Sequence, residues 1–174
     1  SSAGIDPNTA YYRVLEERGA GTGDLDVAYT YGQALLRQQR AGEPSYYVSD
    51  AIGSTRGLAA FGQGLTDSYG YEAFGPALAV NGSTSNQFRF AGQELVNGSS
   101  VYNLRARYYS PDRGRFLGRD ALPGGIQKPI SLHAYVYAND NPPTLTDPSG
   151  LFTTAEINVT AGAGLLLVAV RLAK

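Results

Sequence analysis

One short pattern, an aromatic residue followed by a glycine turn, returns along the first half of the chain about every 20 residues. Tyr29, Tyr47, Tyr69 and Phe88 mark it, with steps of 18, 22 and 19 residues. Tyrosines alternate with polar residues around them, which is the period of a strand with one buried face. Each unit is predicted to be a β-hairpin, and hairpins of this size must stack on their neighbours to be stable. The alternative is that tyrosine and glycine are merely common here and that the spacing arose by chance.

Composition supports an all-β chain. Its 174 residues include 22 Gly and 13 Tyr, while only 17% are charged. This mixture favours turn-rich β structure over a helical bundle. The absence of cysteine excludes disulfides and thiolate chemistry, and a single histidine, His133, excludes a His-rich metal site. A net charge of -1 argues against a general polyanion binder.

The texture of the sequence changes after Leu151. Tyrosine, proline and histidine stop there, and Thr153 or Thr154 resembles a helix cap. We therefore expect residues 1–26 to be a preceding repeat or linker, residues 27–151 to be the repeats and their core, and residues 152–174 to begin a variable C-terminal region, for which a helix is one alternative. The apolar run at 161–170 is too short to span a bilayer.

Four motifs in order carry a family resemblance. They are YVSDAIGSTRGL at 47–58, FRFAGQE at 88–94, YNLRARYYSP with GRFLGRD within 102–120, and Asn141-Pro142 followed by DPSGL at 147–151. Together they resemble the Rhs repeat-associated core of the Rhs/YD-repeat family and the C subunits of bacterial ABC toxin complexes. The sequence departs from the family where Ala121 follows Asp120 instead of proline, where Asn103 replaces a usual tyrosine, and in having only 23 residues after Leu151.

The resemblance implies a fold and an activity. Proteins of this family coil YD-repeat hairpins into a hollow β-shell, and the core spirals inward to plug one end. The plug is similar to an aspartyl autoprotease that cuts after the DPSGL-type motif, here between Leu151 and Phe152, and leaves a C-terminal effector inside the shell. Family context implies a bacterial protein that is secreted or delivered to the cell surface. The implied partners are the rest of the shell, its own C-terminal peptide and secretion-system or toxin-complex components, with no cofactor, metal, nucleic acid or stable membrane span.

The autoprotease chemistry needs two carboxylates whose proximity separates their pKa values, so that one is an acid while the other activates water. Asp120 and Asp147 are the candidates, because each ends or begins a family motif before the expected cut. Arg119 is expected to hold one of them ionised. The alternatives are that Asp147 is a β-turn residue and that Asp120 is an arginine partner on a polar surface.

Two further functions stay open from the sequence. The chain could be a non-catalytic YD-repeat module whose tyrosines bind carbohydrate or another protein. Its arginine-rich segment could instead form a groove for nucleic acid, although pairing with acidic residues and packing on aromatic rings explains these arginines better; they are Arg105, Arg107, Arg113, Arg115 and Arg119. His133 starts an alternating segment predicted to be a strand, in which it packs and does not act as a base.

Overall fold

The computed structural model describes residues 2–5, 12–19 and 23–154. The chain divides into two compact units. Unit 1 holds residues 1–71 and 77–92, and unit 2 holds residues 72–76 and 93–174. Among the described residues of both units, the regular elements are antiparallel strands and short 3₁₀ turns, so the all-β prediction is confirmed. No helix among the described residues is long and apolar enough to cross a membrane.

Unit 1 is an eight-stranded antiparallel sheet whose strands lie in sequence order. Its tightest connection is the two-residue turn Ala41-Gly42, where both residues have positive φ (49° and 87°). Such a turn matches the twist of the strands that it joins. The strands are β1 Ser2–Ile5, β2 Tyr12–Arg18, β3 Leu25–Tyr31, β4 Leu35–Arg40, β5 Glu43–Ser49, β6 Thr55–Ala60, β7 Gly64–Tyr71 and β8 Ala77–Asn81.

The aromatic repeat follows alternate strands of this sheet. Tyr29, Tyr47 and Tyr69 lie on β3, β5 and β7, so each step of about 20 residues contains two strands and two turns. Phe88 departs from the predicted pattern. It lies outside the named strands, in a segment that we call the strap (residues 83–92). The strap crosses the buried face of the sheet: the Phe88 ring meets Tyr29 edge-on at 5.0 Å, and the Phe88 carbonyl accepts a 2.7 Å hydrogen bond from Thr55.

Residues 1–26, expected to be a repeat or a linker, supply β1 and β2 of the same sheet. The helix that is one alternative for the C-terminal region falls at residues 155–174, which lie outside the described residues.

Unit 2 contains a four-stranded antiparallel sheet in the order β12-β11-β10-β9. Its strands are β9 Glu94–Leu95, β10 Tyr102–Leu104, β11 Arg107–Ser110 and β12 Arg115–Phe116. Its core is aromatic: the ring centroid of Tyr109 lies 4.1 Å from that of Tyr137 and 5.9 Å from that of Phe116. The Tyr109 hydroxyl donates a 2.7 Å hydrogen bond to the Phe74 carbonyl.

The strand predicted at 133–137 is wrong. This segment turns, and it pairs with the sheet only through the bridge between Val136 and Arg115. Ala138, Asn139 and Asp140, which follow it, all have positive φ (49°, 53° and 60°) and reverse the chain. A non-glycine residue adopts this conformation only where its surroundings impose it.

Candidate active site

The site is built around one buried arginine at the start of β11. The β10–β11 hairpin turns through Arg105, whose φ is 65°, and places Arg107 opposite Leu104 on the neighbouring strand. The Arg107 side chain is only 6% exposed, and its guanidinium lies over the Phe116 ring at 3.6 Å from the centroid. A guanidinium in this position stacks on the ring and has little access to water, so its N–H groups need hydrogen-bond acceptors from the protein.

The partners of Arg107 include two carboxylates and two carbonyls. A single guanidinium nitrogen, Nη2, lies 2.9 Å from Asp120 Oδ2 and 3.4 Å from Asp147 Oδ2. The other nitrogens donate to the carbonyls of Ala134 (3.1 Å) and Gly150. Because both carboxylates meet the same nitrogen, the distance between them cannot exceed the sum of those two contacts. Folding therefore brings together two aspartates that lie 27 positions apart in the sequence.

Asp120 is held at the edge of the site. Its backbone N–H donates to the Ala134 carbonyl (2.9 Å), and its Oδ1 accepts from the Leu122 N–H (2.8 Å). Its side chain is 19% exposed, compared with 3% for Asp147. Asp120 thus forms the shorter ion pair and also has the better access to water.

Asp147 is enclosed by donors. Its Oδ1 accepts hydrogen bonds from the Ser149 hydroxyl (3.2 Å) and from the backbone N–H groups of Leu151 and Phe152 (3.1 Å each). Burial raises the pKa of Asp147 to about 6, although Arg107 and the hydrogen-bond donors oppose this rise. A carboxyl with this pKa can carry a proton near neutral pH and give it up again.

The Leu151–Phe152 bond lies within a closed loop. The two ends of the loop are joined by hydrogen bonds from the Thr154 N–H to the Thr146 carbonyl (2.8 Å) and from the Thr146 N–H to the Thr154 hydroxyl (3.2 Å). Gly150 lets the loop approach the β10–β11 hairpin. Its φ is +72°, and a Cβ there would overlap the Leu104 carbonyl oxygen and lie 3.0 Å from the Arg107 nitrogen.

A cavity of about 300 Å³ opens beside the two carboxylates. A water molecule occupies roughly 30 Å³ of liquid, so several fit. The lining is polar where it meets the aspartates and apolar at Phe152; it includes Arg107, Asp120, Leu122, Pro123, Asp147 and Phe152. Across residues 2–5, 12–19 and 23–154, no group of three His, Asp or Glu side chains is arranged to hold a metal ion.

The structure places the residues selected from the sequence as follows. Asp120 and Asp147 come together, and Leu151 and Phe152 lie against Asp147. Arg119 is exposed, and the arginine that contacts both carboxylates is Arg107. His133 is exposed at the cavity. Ser149 was not selected, although its position two residues after Asp147 in a turn motif was a signal for a side-chain hydrogen bond.

Comparisons with known proteins agree with this fold. No family model matches the chain. It is 30% identical over 136 residues to the tRNA3(Ser)-specific nuclease WapA of Bacillus spizizenii, a match that covers 75% of this chain and 6% of the nuclease. It is 32% identical over 143 residues to Salivary gland surface protein 1 of Aedes aegypti, covering 79% of this chain and 4% of that protein.

The solved structures that it resembles include the TcdB2-TccC3 complex and the TcdB2-TccC3-Cdc42 complex. Both give a TM-score of 0.62, with 22% and 23% sequence identity. The matches cover 75% and 72% of this chain, and 7% and 6% of the larger chains. At this identity the likeness concerns the fold.

These findings define the class of protein. WapA is an Rhs-type tRNA nuclease to which this chain is related in sequence, and the TccC3 complexes, which are Rhs-containing toxins, share its fold. It spans about 6% of the length of the WapA relative and 4% of the salivary protein. The matches are therefore to a small segment of each much longer relative.

Proposed function

We propose that this chain is the C-terminal core, or plug, of an Rhs-type encapsulating shell that cuts itself once between Leu151 and Phe152. The observation that carries the proposal is the meeting of Asp120 and Asp147 on one Arg107 nitrogen, with Asp147 hydrogen-bonded to the N–H of the bond to be cut. The remaining shell and the residues after Leu151 are its partners, and the piece released inside the shell is an effector. Delivery outside a bacterial cell, through toxin-complex components, belongs to the same proposal.

The geometry supports different proposed roles for the two aspartates. Asp147 is the acid, because burial keeps its carboxyl protonated to a higher pH than usual. Asp120 is the base that activates water from the cavity, because it forms the closer ion pair and is the more exposed of the two. Water adds to the Leu151 carbonyl carbon, its proton passes to Asp120, and the Phe152 nitrogen leaves with a proton from Asp147. Arg107 orients both carboxylates throughout.

Intact mass spectrometry of the natively folded chain, denatured only for analysis, tests this proposal. The wild-type chain should lose the mass of residues 152–174, and neither Asp120→Asn nor Asp147→Asn should lose it. Asp112→Asn is the matched control, because Asp112 is an exposed carboxylate of the same unit, and it should be cut like the wild type. Loss of the same mass from all four chains would mean that the two aspartates do not perform the cleavage.

A second candidate is a non-catalytic module that binds carbohydrate or protein. Three tyrosines that are 40–54% exposed favour it; they are Tyr46, Tyr108 and Tyr135. The match to a protein named for the surface of the salivary gland also agrees with it. A folded wild-type chain with an uncut Leu151–Phe152 bond, tested also in a longer chain that includes more of the shell, would favour this candidate over the autoprotease.

A further inference from the structure

Ser149 occupies a position between the proposed acid and the bond to be cut. Its side chain is buried, with the residue 7% exposed. Its hydroxyl oxygen lies 3.2 Å from Asp147 Oδ1, 3.1 Å from the Leu151 nitrogen and 3.1 Å from the Phe152 nitrogen. A hydroxyl has one hydrogen to donate and two lone pairs with which to accept. These three contacts use all of that capacity before cleavage, and the lone pair that accepts from Phe152 is freed when that nitrogen becomes a proton acceptor.

The neighbours of Asp147 differ in what they can accept. Oδ2 faces the Arg107 guanidinium, which only donates, so a proton on the Asp147 carboxyl is favoured on Oδ1. Oδ1 is surrounded by the backbone N–H groups of Leu151 and Phe152, which in an intact peptide also only donate. Among the hydrogen-bond partners of Oδ1, the Ser149 oxygen is the group with a lone pair to receive a proton.

We infer that Ser149 is a proton-relay residue that passes the proton of Asp147 to the leaving nitrogen of Phe152. The inference rests on the proposed self-cleavage. As water bonds to the Leu151 carbonyl carbon, the Phe152 nitrogen loses its amide resonance and becomes basic. Asp147 Oδ1–H then gives its proton to the Ser149 oxygen, and the Ser149 hydroxyl gives its own hydrogen to the nitrogen while the C–N bond breaks. Asp120 keeps the proton taken from water, Asp147 ends ionised, and the products are a Leu151 acid and a Phe152 amine.

The relay is tested by the rate of cleavage after a short pulse of cell-free synthesis of the full chain, followed by intact mass over time. Ser149→Ala should cleave at least about tenfold more slowly. The loss of rate should stay below the full effect of general acid catalysis, because Asp147 itself stays within 3.1 Å of the nitrogen. Ser149→Thr keeps the hydroxyl and should restore the rate. Ser110→Ala is the control, since Ser110 is equally buried in β11 of the same unit and should cleave like the wild type.

A second measurement on the wild type separates a relay from a structural role. In the step that breaks the C–N bond, the relay moves two protons and a direct transfer moves one. When that step limits the rate, a plot of the rate against the fraction of D₂O should curve downward for the relay and be straight for the direct transfer. Near-UV circular dichroism, which reports the buried tyrosines of unit 2, shows whether each variant has folded. If Ser149→Ala fails to fold, the curved or straight D₂O plot of the wild type decides.

The outcomes are distinct. A cut wild type with a curved plot, a slow Ser149→Ala and a fast Ser149→Thr supports the relay. A cut wild type with a straight plot, or with a folded Ser149→Ala that is equally fast, overturns the relay and leaves the self-cleavage standing. A folded Ser149→Thr that is as slow as Ser149→Ala also overturns it. A wild type that stays intact overturns the proposed function, and the relay with it.

Discussion

Gly150 gives a sharp test of the loop geometry, because the chain contains a matched partner for it. Gly150 and Gly98 lie in unit 2 and both have φ of +72°. A Cβ at Gly98 would have no heavy atom within 4 Å, whereas a Cβ at Gly150 would overlap the Leu104 carbonyl oxygen and lie 3.0 Å from the Arg107 nitrogen. Alanine at either position bears the same left-handed strain of roughly 1–2 kcal/mol. The two variants therefore differ in the close approach alone.

The magnitude follows from that overlap. The atoms that a Cβ of residue 150 would meet belong to the backbone of the β10–β11 hairpin, so the loop must move and cannot relax by a rotamer change. A displacement of about 1 Å at reacting atoms costs on the order of 100-fold in rate. We therefore expect Gly150→Ala to cleave about 100-fold more slowly than the wild type, and Gly98→Ala to cleave at the wild-type rate.

The assay is again a pulse of cell-free synthesis with intact mass measured over time. Unfolding in urea, with Asp120→Asn added to both variants so that cleavage does not interfere, gives the stability. Gly98→Ala should lose roughly 1–2 kcal/mol and Gly150→Ala more than that. Equal cleavage rates for the two variants would refute the argument that the approach of Gly150 to the hairpin aligns the bond.

Three further predictions follow from the same site. Because the neutral form of Asp147 donates the proton and its pKa is raised to about 6, cleavage should slow about tenfold for each pH unit above 7, which a pH series of the pulse assay measures; a flat profile would contradict the acid role. Arg107→Lys should cleave at least about tenfold more slowly, with exposed Arg115→Lys as the control, because an ammonium cannot hold two carboxylates and two carbonyls in one plane. After cleavage the C-terminal piece should stay bound, because Thr153 accepts from Asn139 (3.3 Å) and Thr154 bonds to Thr146, so native mass spectrometry should show one species where denaturing conditions show two; two species under both conditions would contradict this.

The spacing of the repeat could be predicted from the sequence because its signal is local. The two aspartates could be chosen as candidates because each lies in a recognisable motif. Tyr29, Tyr47 and Tyr69 share one face of the sheet because the strand register keeps them in phase. The pairs lead from Tyr29 through Gln38 to Ser45, two residues before Tyr47, and from Tyr47 through Leu58 to Asp67, two residues before Tyr69. Phe88 keeps the spacing without being in a strand, since the strap buries the same kind of ring against Tyr29 from above. Spacing alone cannot separate a residue of the sheet from a residue that covers it.

The arginine of the site could not be predicted from its neighbour in sequence. Arg119 precedes Asp120 directly, yet Arg119 is exposed while Asp120 contacts Arg107. Arg107 reaches Asp147 across 40 positions, through the β10–β11 hairpin and the loop at Gly150. The sequence argument that arginines of this segment cover rings and pair with acids does apply to Arg107, which lies on Phe116; Arg105 sits in the turn.

The two interpretations of Asp147, a turn residue or a catalytic acid, make different demands on its charge. Asparagine caps a turn as well as aspartate does, and it would bring no charge into a site where Arg107 is shared by two carboxylates. Burial works against the charge of Asp147, as the rise of its pKa to about 6 shows. A structural turn gains nothing from that cost, whereas an acid that must hold a proton near neutral pH requires it. The geometry therefore favours catalysis over the turn as the reason for an aspartate at this position.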